Sequence, residues 1–124
     1  MKKTSFIFSV LLLVFCALFL TACEKSQEKY TSSLEGKGYT VEVQEDNFTG
    51  SKFKLYATKT DESGKFNYAY IYCYETIEDC NTNFNKLRQE AAQHKSLFPD
   101  ADLKVYQDGK AVYYGTAQGV SDCK

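Results

Sequence analysis

One unbroken apolar run, Phe6 to Leu20, lies near the start of the chain, and beyond about residue 29 the pattern changes to short alternating and helical segments. Between Lys29 and Lys37 the spacing of Tyr30 and Leu34, four apart, predicts a short helix that Gly36 and Gly38 stop. Tyr39 to Val43 alternates apolar and polar residues with period two, as does Lys52 to Thr58, and the polar stretch Gln44 to Gly50 connects them. Asp61-Glu62-Ser63-Gly64 predicts a turn into Phe66–Tyr74, a strand rich in the aromatic residues that strands favour. Thr76, with Asp79 three positions on, reads as a helix cap, and Ile77, Cys80, Phe84, Leu87 and Ala91 then recur at helical spacing to about Lys95. Pro99 ends any continuation. Leu103–Gln107 and Ala111–Gly115 read as a hairpin joined at Asp108-Gly109, and Thr116–Asp122 as a last helical turn. The order α-β-β-β-α-β-β predicts an α+β class: a single antiparallel sheet of about five strands with one main helix packed on one face.

Alternation also sorts the side chains between the two faces of that sheet. Val41, Val43, Leu55, Ala69, Ile71, Cys73, Leu103, Val105 and Val112 form an aliphatic set, expected beneath the Thr76–Lys95 helix. The opposite set collects Tyr56, Tyr68, Tyr70, Tyr72, Tyr74, Tyr106 and Tyr113 with Lys54 and Lys104, and a single long helix leaves that face partly exposed. Two readings of the tyrosines stand side by side. Tyrosine tolerates a half-wet sheet surface, with its ring on the sheet and its hydroxyl in water. It is also enriched at recognition surfaces, where it supplies contact area at low entropic cost, sugar stacking being one form of that use. On the second reading Tyr56, Tyr68, Tyr70, Tyr72, Tyr106 and Tyr113 are the candidate binding surface.

The apolar run itself is too short for a stable span: about fifteen residues make roughly 22 Å of helix against a hydrocarbon core of ~30 Å. Lys2 and Lys3 precede it, and Leu20-Thr21-Ala22-Cys23 ends it, the charge–apolar–small-residue layout of a cleaved signal. With a cysteine directly after the small residue, this segment resembles a bacterial lipoprotein signal, and the resemblance covers residues 1–23. It implies cleavage before Cys23, a diacylglycerol on the Cys23 sulfur, and a membrane anchor of two or three acyl chains facing the extracytoplasmic side, where one chain alone is marginal. The chain then divides into a signal peptide (1–22), a lipidated tether (23–29) and one small domain (30–124).

Composition narrows the chemistry further. Lys2 and Lys3 leave with the signal, so 13 of the 15 Lys and Arg face 16 Asp and Glu, a mixed and mildly acidic balance without a basic block, which argues against a nucleic-acid partner. Of the five cysteines, Cys16 is lost and Cys23 carries lipid, leaving Cys73, Cys80 and Cys123. A tight turn at Glu75-Thr76 favours a Cys73–Cys80 bridge over either pairing with Cys123, with the reduced state left open. A reactive thiol at Cys73, Cys80 or Cys123 defines the alternative function, a thiol-active envelope protein. His94, the sole histidine, has no companion in sequence, and the cysteines lack zinc spacing. Asp100-Ala-Asp102 lacks the glycine and glutamate of a calcium loop, and no nucleophile elbow or phosphate loop occurs. The expectation is therefore a non-enzymatic binding or accessory domain with no metal or cofactor, its partner an envelope protein or cell-wall component.

Overall fold

The computed structural model describes residues 25–124, so the expected signal peptide and the lipidated Cys23 lie outside the described residues. Helix α1 (Gln27–Gly36) starts at Ser26, whose hydroxyl accepts the Lys29 N–H at 3.2 Å. It takes in Gln27, Glu28 and Lys29, which the tether was expected to contain. Strands β1 (Thr40–Gln44), β2 (Phe53–Thr60) and β3 (Phe66–Cys73) follow, then helix α2 (Ile77–Leu97), strands β4 (Lys104–Asp108) and β5 (Ala111–Gly115), and helix α3 (Ala117–Cys123). The class is α+β, with one five-stranded sheet in the order β1-β2-β3-β5-β4 and every pairing antiparallel.

Thr76 caps α2, its hydroxyl accepting the Asp79 N–H at 3.1 Å, while Glu78 and Asp79 suit the positive end of the helix. From there α2 carries the chain across the sheet to its far edge, where β4 forms. The hairpin then returns, with Asp108 opposite Ala111 and Gly109 at a positive φ of 59°, and β5 inserts between β3 and β4.

The core has two layers, and their assignment corrects the expectation from sequence. Leu55, Ala57, Ala69, Ile71, Ala111 and Tyr113 pack beneath the terminal helices, against Tyr30 and Leu34 of α1 and Val120 and Cys123 of α3. Helix α2 lies on the opposite face, where Cys80 and Leu87 meet Tyr72, Tyr74 and Val112. The aliphatic face is thus covered by two short helices acting together, and the long helix packs on the tyrosine face. Register also moves residues between sets: Tyr113 stands opposite Ile71, and Val112 opposite Tyr72, so Tyr113 and Tyr106 join the aliphatic side while Val105 and Val112 join the side of α2. Val43, on the edge strand β1, is 64% exposed rather than buried beneath a helix.

Cys73 and Cys80, expected as a bridge, are buried thiols, as is Cys123. Cys73 stands opposite Phe53 and Ala111, on the face of α1 and α3, whereas Cys80 belongs to the cluster under α2. The turn at Glu75-Thr76 rounds the end of the sheet and leaves the two side chains on opposite faces.

Candidate interaction surface

The tyrosines fall into two populations distinguished by where their hydroxyls go. Tyr30, Tyr39, Tyr74 and Tyr113 are buried. The Tyr30 and Tyr113 hydroxyls lie 2.8 Å apart, and Tyr113 donates to Asp108 Oδ2 at 2.9 Å. Tyr39 donates to Asp122 Oδ2 at 2.6 Å, and Tyr74 to Thr49 Oγ1 at 2.9 Å. Burial raises all four phenols above the ordinary tyrosine value. These four are structural, each polar tip paired as burial requires.

The second population forms a strip on the face that α2 only half covers. Phe66, Tyr68 and Tyr70 alternate along β3, Tyr56 stands opposite Tyr70 on β2, and Tyr114 opposite it on β5. Tyr56, Tyr68, Tyr70 and Tyr114 are half-buried, and Phe66 is 51% exposed. Their rings make a continuous chain of contacts: Phe66–Tyr68 at 6.1 Å, Tyr68–Tyr56 at 6.4 Å, Tyr56–Tyr70 at 4.5 Å and Tyr70–Tyr114 at 6.4 Å. The Lys54 ammonium lies 5.0 Å from the Tyr70 ring centre and 5.2 Å from that of Tyr72, closing the strip beside α2. None of the Tyr56, Tyr68, Tyr70 and Tyr114 hydroxyls has a hydrogen-bond partner among the described residues. Partial burial raises the pKa values of Tyr68 and Tyr70, and burial with the nearby Glu90 charge pushes Tyr114 up to about 12. At neutral pH these three tyrosines therefore present protonated hydroxyls able to donate and accept.

Of the six tyrosines expected at a binding surface, the structure brings together Tyr56, Tyr68 and Tyr70. Tyr72 lies under α2 and is 8% exposed. Tyr113 is fully buried, and Tyr106 is exposed on the opposite face, its ring 4.0 Å from the Lys124 ammonium. Phe66 and Tyr114 take their places. Phe66 shares the parity of Tyr68 and was legible in the sequence, whereas Tyr114 needed the β3–β5 register, which no local pattern supplies.

The backbone beneath Tyr68 is held by the corner Gly115-Thr116-Ala117-Gln118-Gly119. Thr116 N–H donates to the Tyr68 carbonyl at 3.0 Å, and Tyr68 N–H donates to Thr116 Oγ1 at 3.2 Å. A Cβ added at Gly115 or at Gly119 would run into that same carbonyl group. The two glycines let β5 and α3 close onto β3 where the strip begins.

Tyr56 and Tyr70 stack face to face, with 21° between ring planes, so each covers a face of the other. The open hydroxyls beside them suit a surface with main-chain and side-chain polar groups to pair. Two of the three candidate thiols shift away from reactivity. Burial pushes Cys80 up to about 11, with the Cys73 sulfur adding to the effect, and burial together with Asp122 pushes Cys123 up to about 12. A reactive thiol needs the opposite shift. His94 sits at the exposed end of α2 against Phe98, with ring centres 5.0 Å apart. No three His, Cys, Asp or Glu side chains among the described residues are placed to hold a metal ion. No protein-family model, curated protein or solved structure matches the chain.

Proposed function

We propose that this chain is a bacterial lipoprotein, anchored through Cys23 to the outer side of a membrane, whose folded domain is a non-enzymatic binding module for a protein partner. The observation that carries the binding role is the contrast between the two tyrosine populations. Tyr30, Tyr39, Tyr74 and Tyr113 have their hydroxyls paired inside the protein, while Tyr56, Tyr68, Tyr70 and Tyr114 hold theirs out over a contiguous half-exposed strip. Rigid aromatic area with open hydroxyls is what protein recognition surfaces concentrate, since the rings are already ordered and lose little entropy on binding. Support for the anchor is the signal-like pattern ending at Leu20-Thr21-Ala22-Cys23.

Two experiments test the two halves. Acyl labelling of the full chain in a bacterial host should vanish, and an uncleaved precursor accumulate, in Cys23→Ser. Labelling that persists in that variant refutes the anchor. Short-range crosslinking in intact envelopes should yield a discrete adduct that is lost in the Tyr56→Ser, Tyr70→Ser double variant and kept in Tyr106→Ala, which changes the other face. An adduct indifferent to the strip but sensitive to Tyr106 refutes the recognition surface.

A further inference from the structure

Residue Lys25, two positions after the proposed lipidation site, is not part of a loose tether. Its ammonium donates to the main-chain oxygens of Cys123 at 3.2 Å and Lys124 at 3.0 Å, and lies 5.2 Å from the Tyr30 ring centre. At the other end of α1, Lys37 donates to the Asp122 carbonyl at 2.7 Å. Both lysines thereby pair the last carbonyls of α3 and suit the negative end of that helix. The consequence is geometric. Two residues span at most ~7 Å, so a lipid carried two positions before Lys25 would emerge beside the α1–α3 layer. That layer lies on the opposite side of the sheet from the aromatic strip.

Resting on the lipoprotein reading above, we infer that the Lys25 clamp orients the domain on its membrane: the α1–α3 side, with Lys124 and Tyr106 at its surface, docks on the phospholipid headgroups, and the strip of Tyr56, Tyr68 and Tyr70 faces away from the bilayer. The described chain begins at this side with Lys25, so the short reach back to the proposed lipid ties the membrane to this side and not to the strip. The surface around that point carries the chemistry of an interface. Lys124 is an exposed cation there, and Tyr106, 41% exposed beneath the Lys124 ammonium, is an amphipathic ring of the kind that settles at headgroup depth. The partner of the strip is then approached from the aqueous side and is not a lipid.

The test uses the full chain, processed and acylated in a bacterial host, then reconstituted into phosphatidylglycerol-containing vesicles. The buried native thiols leave single dyes to be placed at Ser33→Cys, on α1, or at Glu42→Cys, on the strip side of β1. A contact-range nitroxide on the lipid headgroups should quench the Ser33→Cys dye several-fold more than the Glu42→Cys dye. Lys25→Glu should remove that contrast and Lys25→Arg should keep it, with circular dichroism verifying the fold of each. Equal quenching at the two sites in the acylated protein, or a contrast that survives Lys25→Glu, overturns the orientation alone. A chain recovered without acyl groups overturns the lipoprotein reading and the orientation with it.

Discussion

Gly119→Ala sets two physical effects against each other, and their sizes decide the sign. Gly119 lies inside α3, where glycine is about 1 kcal/mol worse than alanine, so local propensity alone predicts stabilisation. Packing predicts the reverse. A Cβ at Gly119 would sit 2.7 Å from the Tyr68 carbonyl carbon and 2.9 Å from Thr116 Oγ1, with the Tyr68 carbonyl oxygen closer still. Those atoms belong to a central strand and to the cap of α3, so none can swing aside as the tip of a long side chain would. Relief requires α3 to lift from β3, which strains the 3.0 Å hydrogen bond from Thr116 N–H to the Tyr68 carbonyl. Overpacking costs about 1–3 kcal/mol and a weakened buried hydrogen bond about 1 more, against about 1 gained from propensity. The expected net is a loss of about 1–3 kcal/mol. Gly36→Ala is the matched control, at the last position of α1 with nothing within 4 Å of its added Cβ and no positive φ. It should stabilise by up to about 1 kcal/mol. Urea unfolding followed by circular dichroism reads both as shifts in the midpoint at constant slope. A Gly119→Ala midpoint that rises alongside that of Gly36→Ala would refute the close approach of α3 to β3.

Leu87→Ala, at a side chain 1% exposed beneath α2, should cost about 2–5 kcal/mol. Phe84→Ala should fall below the ~3–5 kcal/mol of a fully buried phenylalanine, because Phe84 is half-buried with the Arg88 guanidinium 5.9 Å from its ring centre. Unfolding midpoints in the reverse order would contradict the placement of the α2 stripe. Burial opposes ionisation of Asp46, but the Thr49 hydroxyl and the Thr49 and Ser51 N–H groups outweigh it and hold the carboxyl well below the usual carboxylate range. Its folded pKa is depressed, so its contribution is present above the unfolded value of ~3.9 and is lost as pH falls below it. Asp46→Asn should therefore flatten the acid limb of a stability–pH curve, and an unchanged limb would deny the carboxylate that role. Cys80 and Cys123, with folded pKa values raised above the ~8.5 of a free thiol, keep their full stability below that pH and lose it above. At pH 7.5 a thiol-specific reagent should modify them only as fast as the protein opens, and rapid modification of the native protein would restore the thiol-active alternative.

Much of the fold was legible because it is local. The β5 limits, Ala111–Gly115, follow from the hairpin signal at Asp108-Gly109, and the Thr76 cap and the stripe Cys80, Leu87, Ala91 place α2 to within a turn. The error lay one level up, in deciding which face meets which helix. Two strong signals, an aliphatic set and one long amphipathic helix, invite direct pairing, but α1 and α3 each carry too few apolar residues to announce themselves as a layer. Tyr30 and Leu34 from one, with Val120 and Cys123 from the other, complete that layer only when brought together in space. The parity error on β4 and β5 has a different cause. Face assignment can be carried from strand to strand only through register, and the long α2 crossover between β3 and β4 erases that information from the sequence. Tyr113 and Tyr106 therefore shared a composition with the strip but not a face.

The position of the open strip follows from connectivity rather than from any property of the tyrosines. Because β5 inserts between β3 and β4, α2 must pass over β5 to reach the far edge of the sheet. A helix about 10 Å across covers roughly two strands spaced ~4.8 Å apart, so the β1–β2 side of this face stays bare whatever residues occupy it. An aliphatic surface there would be an exposed apolar patch prone to self-association. A fully polar one would leave Leu55, Ala57 and Ile71 to hold the sheet from one side only. Tyrosine satisfies both constraints, since Tyr56, Tyr68 and Tyr70 shield the strands with rings in mutual contact, stacked between Tyr56 and Tyr70 and edge-on between Tyr68 and Tyr70, and wet the outer rim with their hydroxyls. Stability therefore explains the rings, and the hydroxyls of Tyr56, Tyr68, Tyr70 and Tyr114, which have no partner among the described residues, stay on the wet rim where the proposed partner would meet them.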